Sequence, residues 1–478
     1  MYGSYVICNA LKTRTLYLNG FSSRLFGRRA EVQARGLRQK AQRLDGLAAI
    51  VARFIPSGLF DNAAGKRDRI FTPWVTFCAF LGQVLQRGSS CQDVVRRVQA
   101  MYLALGEDTV DDATGGYCQA RKRLSIEVLR SASRRLAQWC ATRVRKEELW
   151  QGRVVKVMDG CGLSMSDTEA NRAVYPYAGG QKPDCGFPTG QLLGLFSLCT
   201  GHLVRFVVTS WKLHEAPLAR QLVGWVNQGE VLLADRAFSN WGLIALFKNK
   251  GVDVVMRLHQ ARKTGTGRVH WRKPQRQGPW EAALWQQLPK SLELRVVRFR
   301  VEIPGFRTEQ IALVTTLLDE AAYPDAVLAE LFRRRWQVEL FFRDIKTTLG
   351  LDVLRTHTPA MIEKEILLQT IAYNLVRALM LEAAKQHDLP PARFSFKGTV
   401  GVLHAFAPLF NPAAKGAAQR YGDLLLALAA APVPLRPDRS EPRVVKRRPK
   451  SYQLLTKPRR EMSVAQSRRQ KLTINPLN

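Results

Sequence analysis

The chain predicts an α/β fold: a mixed five-stranded sheet flanked by helices, with a β-rich insertion and an all-helical segment in front. Three observations predict it. Up to about residue 148 the apolar positions recur at helical spacing with no strand pattern. From residue 153 the period changes, and three apolar runs follow with only loops and turns between them. Beyond them the patterns alternate as helix, strand, helix, strand. Strands joined by turns favour antiparallel pairing, and strands joined through helices favour parallel pairing.

A chain of 478 residues has room for several domains and an ample core. Hydrophobic residues at 46% and charged ones at 23% are globular values, but a net charge of +34 is not. That excess calls for a polyanionic partner, nucleic acid or an anionic membrane surface. No run approaches the ~20 apolar residues of a spanning helix, so no membrane is expected. The eight cysteines form no Cys-x-x-Cys and the seven histidines are dispersed, which argues against structural zinc. Reduced thiols in a cytoplasmic, nucleoid-associated protein are the expectation.

Residues 1–36 read as a basic N-terminal arm, with no acid before Glu31. Residues 37–54 make an amphipathic helix with Leu44, Leu47, Val51 and Phe54 on one face. Thr72-Pro73 starts a second helix, and Trp74 to Leu81 is apolar all round and therefore internal. Ser90-Cys91-Gln92-Asp93 opens a third, with Val94, Val95, Val98 and Tyr102 inward. After Gly115-Gly116 comes Gln119-Ala120-Arg121-Lys122-Arg123, and a further helix runs from Ser125 to about Val144. Together these make a helical domain, 37–148, expected to bind DNA. Gln119, Arg121 and Arg123 are of the types that read base edges and hold phosphate. This segment alone leaves two readings equally open, a helix-turn-helix-like DNA face and a solvated basic face.

Arg153 to Gly160 is a strand that delivers Asp159, followed by a polar loop, 164–190. Leu192–Leu198 and Leu203–Val208 are strands around the Thr200-Gly201-His202 turn. Residues 214–227 are helical, with Leu218, Leu222 and Trp225 on one face. Glu230 to Ala234 is a buried strand ending at Asp235. Ser239 caps a helix that runs to Lys250 and ends at Gly251, and Asp253 to Leu258 is the fifth strand. Residues 259–322 read as a small β-rich insertion with strands near 294–301 and 310–316. Helices at 325–349 and 359–387 complete a catalytic domain, 149–390, and shorter ones near 399–409 and 421–431 make a C-terminal unit, 391–431. The Pro-rich, basic tail 432–478 cannot bury a core and is expected to be disordered until it meets nucleic acid.

The strand order is the ribonuclease-H-like plan, which sets Asp159, on strand one, beside Asp235, at the end of strand four. The third acid sits on the helix through 331–346. At about 100° per residue, Phe332, Arg335, Glu339 and Lys346 share one narrow face of it. Arg335 and Glu339 could also be a surface i,i+4 pair. Three carboxylates from distant positions suit two Mg²⁺ ions about 3.5–4 Å apart, with Mn²⁺ as a substitute, for hydrolysis or exchange of a phosphodiester. Asp159, Asp235 and Glu339 are those three, and Arg335 and Lys346 would hold the phosphate. The competitors fit less well: Asp167 and Asp184 lie in the polar loop, and Asp344 turns away by about 120° on the same wheel. Trp271, Trp280 and Trp285 could stack a splayed base or pack within the insertion.

These residues resemble the DDE transposases of bacterial insertion sequences, in the insertion-sequence-four-like group. That group's last catalytic helix carries Tyr, two residues, Arg, three residues, Glu, six residues, Lys, and Phe332, Arg335, Glu339 and Lys346 have the same spacing. Asp235-Arg236-Ala237-Phe238 looks like the second-acid motif, and Val157-Met158-Asp159-Gly160 through Asn171 and Pro176 looks like the first. The likeness covers roughly 150–380, more weakly 70–145. It implies a metal-dependent enzyme that binds the terminal inverted repeats of its element and pairs two ends as a homodimer. It would free 3′-hydroxyls and join them to target DNA. Phe332 departs from the pattern, and the phenolic hydroxyl that would reach phosphate in a hairpin route is absent here.

Overall fold

The computed structural model describes residues 46–63, 69–104, 111–177, 185–212, 215–262, 264–276, 280–301, 309–410 and 416–434. The expected arm 1–36, the start of the helix 37–54 with Leu44, Asp184, and all but the first residues of the tail 432–478 lie outside them.

The described chain opens with helices α1 (Gly46–Ala52), α2 (Pro73–Leu85), α3 (Cys91–Ala104), α4 (Gly115–Arg123) and α5 (Ile126–Ala141). Their starts are written locally. Thr72 Oγ1 accepts from Val75 N at 3.3 Å in front of Pro73. Ser90 and Asp93 cap each other: Asp93 N donates to Ser90 Oγ at 3.1 Å, and Ser90 N to Asp93 Oδ2 at 2.8 Å.

The strands and their connections follow: β1 (Val155–Met165), α6 (Glu169–Val174), β2 (Thr189–Ser197), β3 (Leu203–Ser210), α7 (Glu215–Leu222), β4 (Val231–Ala234), α8 (Trp241–Asn249) and β5 (Asp253–Arg257). Asn240, not Ser239, caps α8; its side chain accepts from Leu243 N at 2.9 Å, while Ser239 is buried and donates to Arg236 O. Next come β6 (Gly267–Arg272), α9 (Ala282–Gln287), β7 (Ser291–Val301) and β8 (Glu309–Thr315). Then come α10 (Asp325–Arg334), α11 (Gln337–Arg343), a π-helical turn (Asp344–Leu349), β9 (Val353–Leu354), α12 (Pro359–Gln386), α13 (Phe396–Phe406) and α14 (Ala417–Ala429).

The architecture is mixed α/β, a large mixed sheet flanked by helices. Its strands run β3-β2-β1-β4-β5-β8-β7-β6, with β9 on the far part of β1. β1, β2 and β3 pair antiparallel, and β1, β4 and β5 pair parallel, as the connections dictate. The sheet is wider than the five strands expected. The strands between 259 and 322 do not form a separate small sheet but extend this one from β5 through Val255↔Thr315 and Arg257↔Leu313. An unpaired edge on β5 would leave its amides and carbonyls without partners, and β8 satisfies them.

Alternation along the strands splits the core in two. Val157, Phe196 and Leu233 face the layer holding α12 and the N-terminal helices, and Met158, Leu195 and Leu232 face α7 and α8. Of the helices within 37–148, α1, α2 and α5 share that first core with α12: Leu129, Leu136 and Cys140 lie in one cluster with Ile371, Leu375 and Leu379, while Val94 and Val95 of α3 and Tyr117 of α4 form a cluster of their own. α12 is long and apolar enough to cross a membrane, but 94% of the qualifying window is buried inside the protein. Three consecutive α12 residues lock it to other elements. Glu363 pairs with Arg130 of α5, Lys364 donates to the carbonyls of Arg121 and Lys122 at the end of α4, and Glu365 accepts from Arg355 N and Thr356 N.

Candidate active site

β1 and β4 bring the first two acids together by register. The last residues paired between them are Met158 and Ala234, so Asp159, which continues along β1, and Asp235, which leaves β4, stand at the same level. Asp159 Oδ1 accepts from Gly160 N at 2.8 Å. Asp235 follows the last residue of β4, and its Oδ1 is buried with no hydrogen-bond partner among the described residues. An orphaned carboxylate oxygen is expensive to bury, and a site for a hard cation needs such a donor.

The third acid arrives on a broken helix. The single helix expected at 325–349 is interrupted between α10 and α11, and again by the π-helical turn. At the first break the amides of Val338 and Glu339 donate to Arg335 O and Trp336 O, three residues back. The four spaced residues therefore do not share one α-helical face. Phe332, expected at the DNA interface, is 3% exposed and belongs to the core. Arg335 is buried between the acids, with Nη1 3.8 Å from Asp159 Oδ2 and Nη2 3.7 Å from Glu339 Oε1. The Glu339 side chain is 49% exposed. Among the described residues no three His, Cys, Asp or Glu side chains stand close enough together to hold a metal ion. The geometry is two adjacent carboxylates and a third linked to them through a guanidinium. All the donors are oxygens, the set that suits Mg²⁺ or Mn²⁺ over zinc.

Lys346 lies in the π-helical turn and lines a cleft of about 1340 Å³ between that turn and α2, α3 and α4. Arg121 and Lys122 line it too, with Arg87 and Arg355. Arg87 and Arg355 were not singled out from the sequence. Arg87 donates to Thr347 O at 2.7 Å, a contact across 260 residues that no local pattern announces. Arg121 is held inward: it donates to Cys91 Sγ at 3.2 Å and lies over the Phe80 and Tyr117 rings. Gln119 and Arg123 are exposed on α4, and burial followed by Arg69 holds the Arg123 pKa below its usual value.

Two of the competing acids have other partners. Asp167 pairs with Arg172 at 2.8 Å and accepts from the Tyr177 hydroxyl at 3.0 Å. Asp344 opens the π-helical turn and pairs with Arg377 of α12 at 3.2 Å. Burial pushes its pKa up, against the pull of Arg377 and Arg343. Trp271, Trp280 and Trp285 sit against the second core, with Trp241–Trp285 and Trp280–Trp285 centroids 5.5 and 5.3 Å apart. Packing is what they do here. The exposed tryptophan beside the acids is Trp336, 49% exposed, which the sequence reading passed over as part of a helix.

Residues 150–375 match the family model described as transposase DDE domain. The chain is 26% identical over 425 residues to the transposase InsG for insertion sequence element IS4 of Escherichia coli (strain K12), covering 84% of this chain and 90% of that protein. It is 28% identical over 197 residues to the probable transposase for insertion sequence element IS5377 of Geobacillus stearothermophilus, covering 40% of this chain and 49% of the other. A solved structure of a piggyBac transposase synaptic complex with hairpin DNA aligns with a TM-score of 0.42 at 9% identity, over 82% of this chain and 85% of that one.

Proposed function

The chain belongs to the DDE transposases of bacterial insertion sequences, in the insertion-sequence-four-like group, and from that premise we propose that Asp159, Asp235 and Glu339 are its metal-holding carboxylates. It is a DNA transposase, a DNA-binding enzyme dependent on a divalent metal. The observation that carries the acid set is the register of β1 and β4, with Asp159 and Asp235 following the last pair, Met158↔Ala234. The order β3-β2-β1-β4-β5, with its antiparallel then parallel senses, supports a ribonuclease-H-like reading of this half of the sheet.

Mg²⁺ is the proposed metal, with Mn²⁺ as substitute, because every donor offered is a carboxylate oxygen. When bound, two such ions activate the attacking oxygen and stabilise the leaving one. The chain's own residues do the rest. Asp159 holds charge within β1 and Asp235 just past β4, and Glu339 closes the set from α11. Lys346 and the cleft cations Arg87, Lys122 and Arg355 hold the DNA backbone leading to the scissile phosphate. Exposed Gln119 and Arg123 on α4 contribute to reading the terminal inverted repeat, within a DNA-binding unit at 37–148. The basic segments 1–36 and 432–478 add sequence-independent attraction, consistent with a net charge of +34. Two ends require two active sites, so a homodimer in the synaptic complex is proposed.

The test uses the purified chain, Mg²⁺, a labelled duplex ending in the flanking repeat, and a target plasmid. Cleavage followed by joining to the plasmid supports the reading. Cleavage that never leads to joining would reassign the chain as a nuclease on the same fold.

A further inference from the structure

We propose that Arg335 is an internal counter-ion of the acid set, which competes with the divalent cation for Asp159 and Glu339 and releases them when a DNA phosphate arrives. The inference rests on the acid set proposed above. The Arg335 side chain is 10% exposed and faces both carboxylates at once, at 3.8 and 3.7 Å. Both separations are longer than a hydrogen bond, so the guanidinium neutralises the acids without the bidentate grip of a permanent pair. Its Nε is buried with no hydrogen-bond partner among the described residues, so part of its donor capacity is unspent. Arg377 shows the contrast: it hydrogen-bonds Asp344 at 3.2 Å and the Tyr373 hydroxyl at 3.1 Å, and three rings pack on it. That is a fixed structural pair, and the Arg335 contacts are an exchangeable one.

A cation bound between Asp159 and Glu339 must approach the oxygens that Arg335 faces, and two positive groups cannot share them without repulsion. A phosphate is the anion a guanidinium binds best, through two parallel hydrogen bonds. Arg335 is buried, but its guanidinium carbon lies 5.6 Å from the half-exposed Trp336 ring and it faces the half-exposed Glu339, so the proposed swing carries it from the carboxylates toward a strand lying over them. DNA then frees the acids for the cation. By linkage, the cation tightens DNA binding by the same factor. Arg335 is a positioning residue in this account: it sets the order in which the site fills.

The experiment titrates Mn²⁺ into the DNA-free full chain and follows free Mn²⁺ by electron paramagnetic resonance. Wild type is compared with Arg335→Gln, Arg335→Lys, Asp159→Asn and Glu339→Gln, each checked for an intact melting transition. Removing two partly exposed ion pairs predicts Mn²⁺ binding about tenfold tighter in Arg335→Gln. Arg335→Lys keeps the charge and stays within about threefold of wild type. Unchanged or weaker binding in Arg335→Gln, with binding lost in Asp159→Asn, would overturn the counter-ion role and leave the acid set standing. Mn²⁺ binding indifferent to both Asp159→Asn and Glu339→Gln would overturn the acid set itself.

Discussion

Replacing Arg377 by Leu strands a buried carboxylate. The Asp344 and Arg377 side chains are 11% and 9% exposed, so water screens their attraction little. Arg377→Leu keeps apolar bulk against Phe341, Tyr373 and Phe396 but leaves Asp344 without its main cation. Breaking a buried pair from one side costs about 3–5 kcal/mol, and losing the hydrogen bond to Tyr373 adds about 1 kcal/mol. Protonation of Asp344, whose pKa burial already raises, returns part of this. The net expectation is about 4 kcal/mol, or a melting temperature lower by roughly 4 °C for a chain of this size. Asp344 opens the turn that carries Lys346, so DNA affinity falls with it. Differential scanning fluorimetry reads the stability and anisotropy the binding. The double variant Arg377→Leu with Asp344→Asn removes the stranded charge and should recover about half of the loss. A single variant within about 1 kcal/mol of wild type, or a double no better than the single, would refute this reasoning.

Lys346→Ala should weaken DNA binding across sequences and lower the slope of log affinity against log salt by about 1, read by titration at several salt concentrations. His202 is fully buried, and its pKa is pushed down to about 3 by burial and then by Lys156 and Arg377. The unfolded chain takes up a proton near pH 6.5 that the folded chain refuses until about pH 3, so stability falls as pH drops through that window. His202→Gln should flatten that acid limb in melts run between pH 7 and 4. Gly201 turns with φ +70°, and a Cβ there would lie 3.1 Å from the Arg377 guanidinium, so Gly201→Ala should cost about 1–3 kcal/mol in denaturant titrations.

Much of this was legible because it is local. Thr72-Pro73 and Ser90 to Asp93 announced helix starts that the backbone then uses, since a cap is decided by residues three apart. The strand pairing from β1 to β5 followed from connection length alone. Asp159 and Asp235 were legible as neighbours because parallel register fixes their level. What stayed hidden is non-local. β6 carries basic and aromatic residues with a Gly start, and it becomes a strand only because β7 pairs with it. A wheel at constant pitch could not foresee the break at Arg335–Trp336 or the π-helical turn, and so it put Phe332 outside when its ring completes the core. Arg87 and Arg355 reach the cleft through tertiary packing, with no motif to mark them.

Asp159, Asp235 and Glu339 are proposed to serve one phosphodiester chemistry. The most direct test of that role measures repeat-end cleavage with Mg²⁺ by wild type, Asp159→Asn, Asp235→Asn and Glu339→Gln, alongside end binding by the same proteins. Each variant should bind the duplex within about threefold of wild type and cleave it at least about a thousandfold more slowly. Cleavage that survives Glu339→Gln near the wild-type rate would contradict that role.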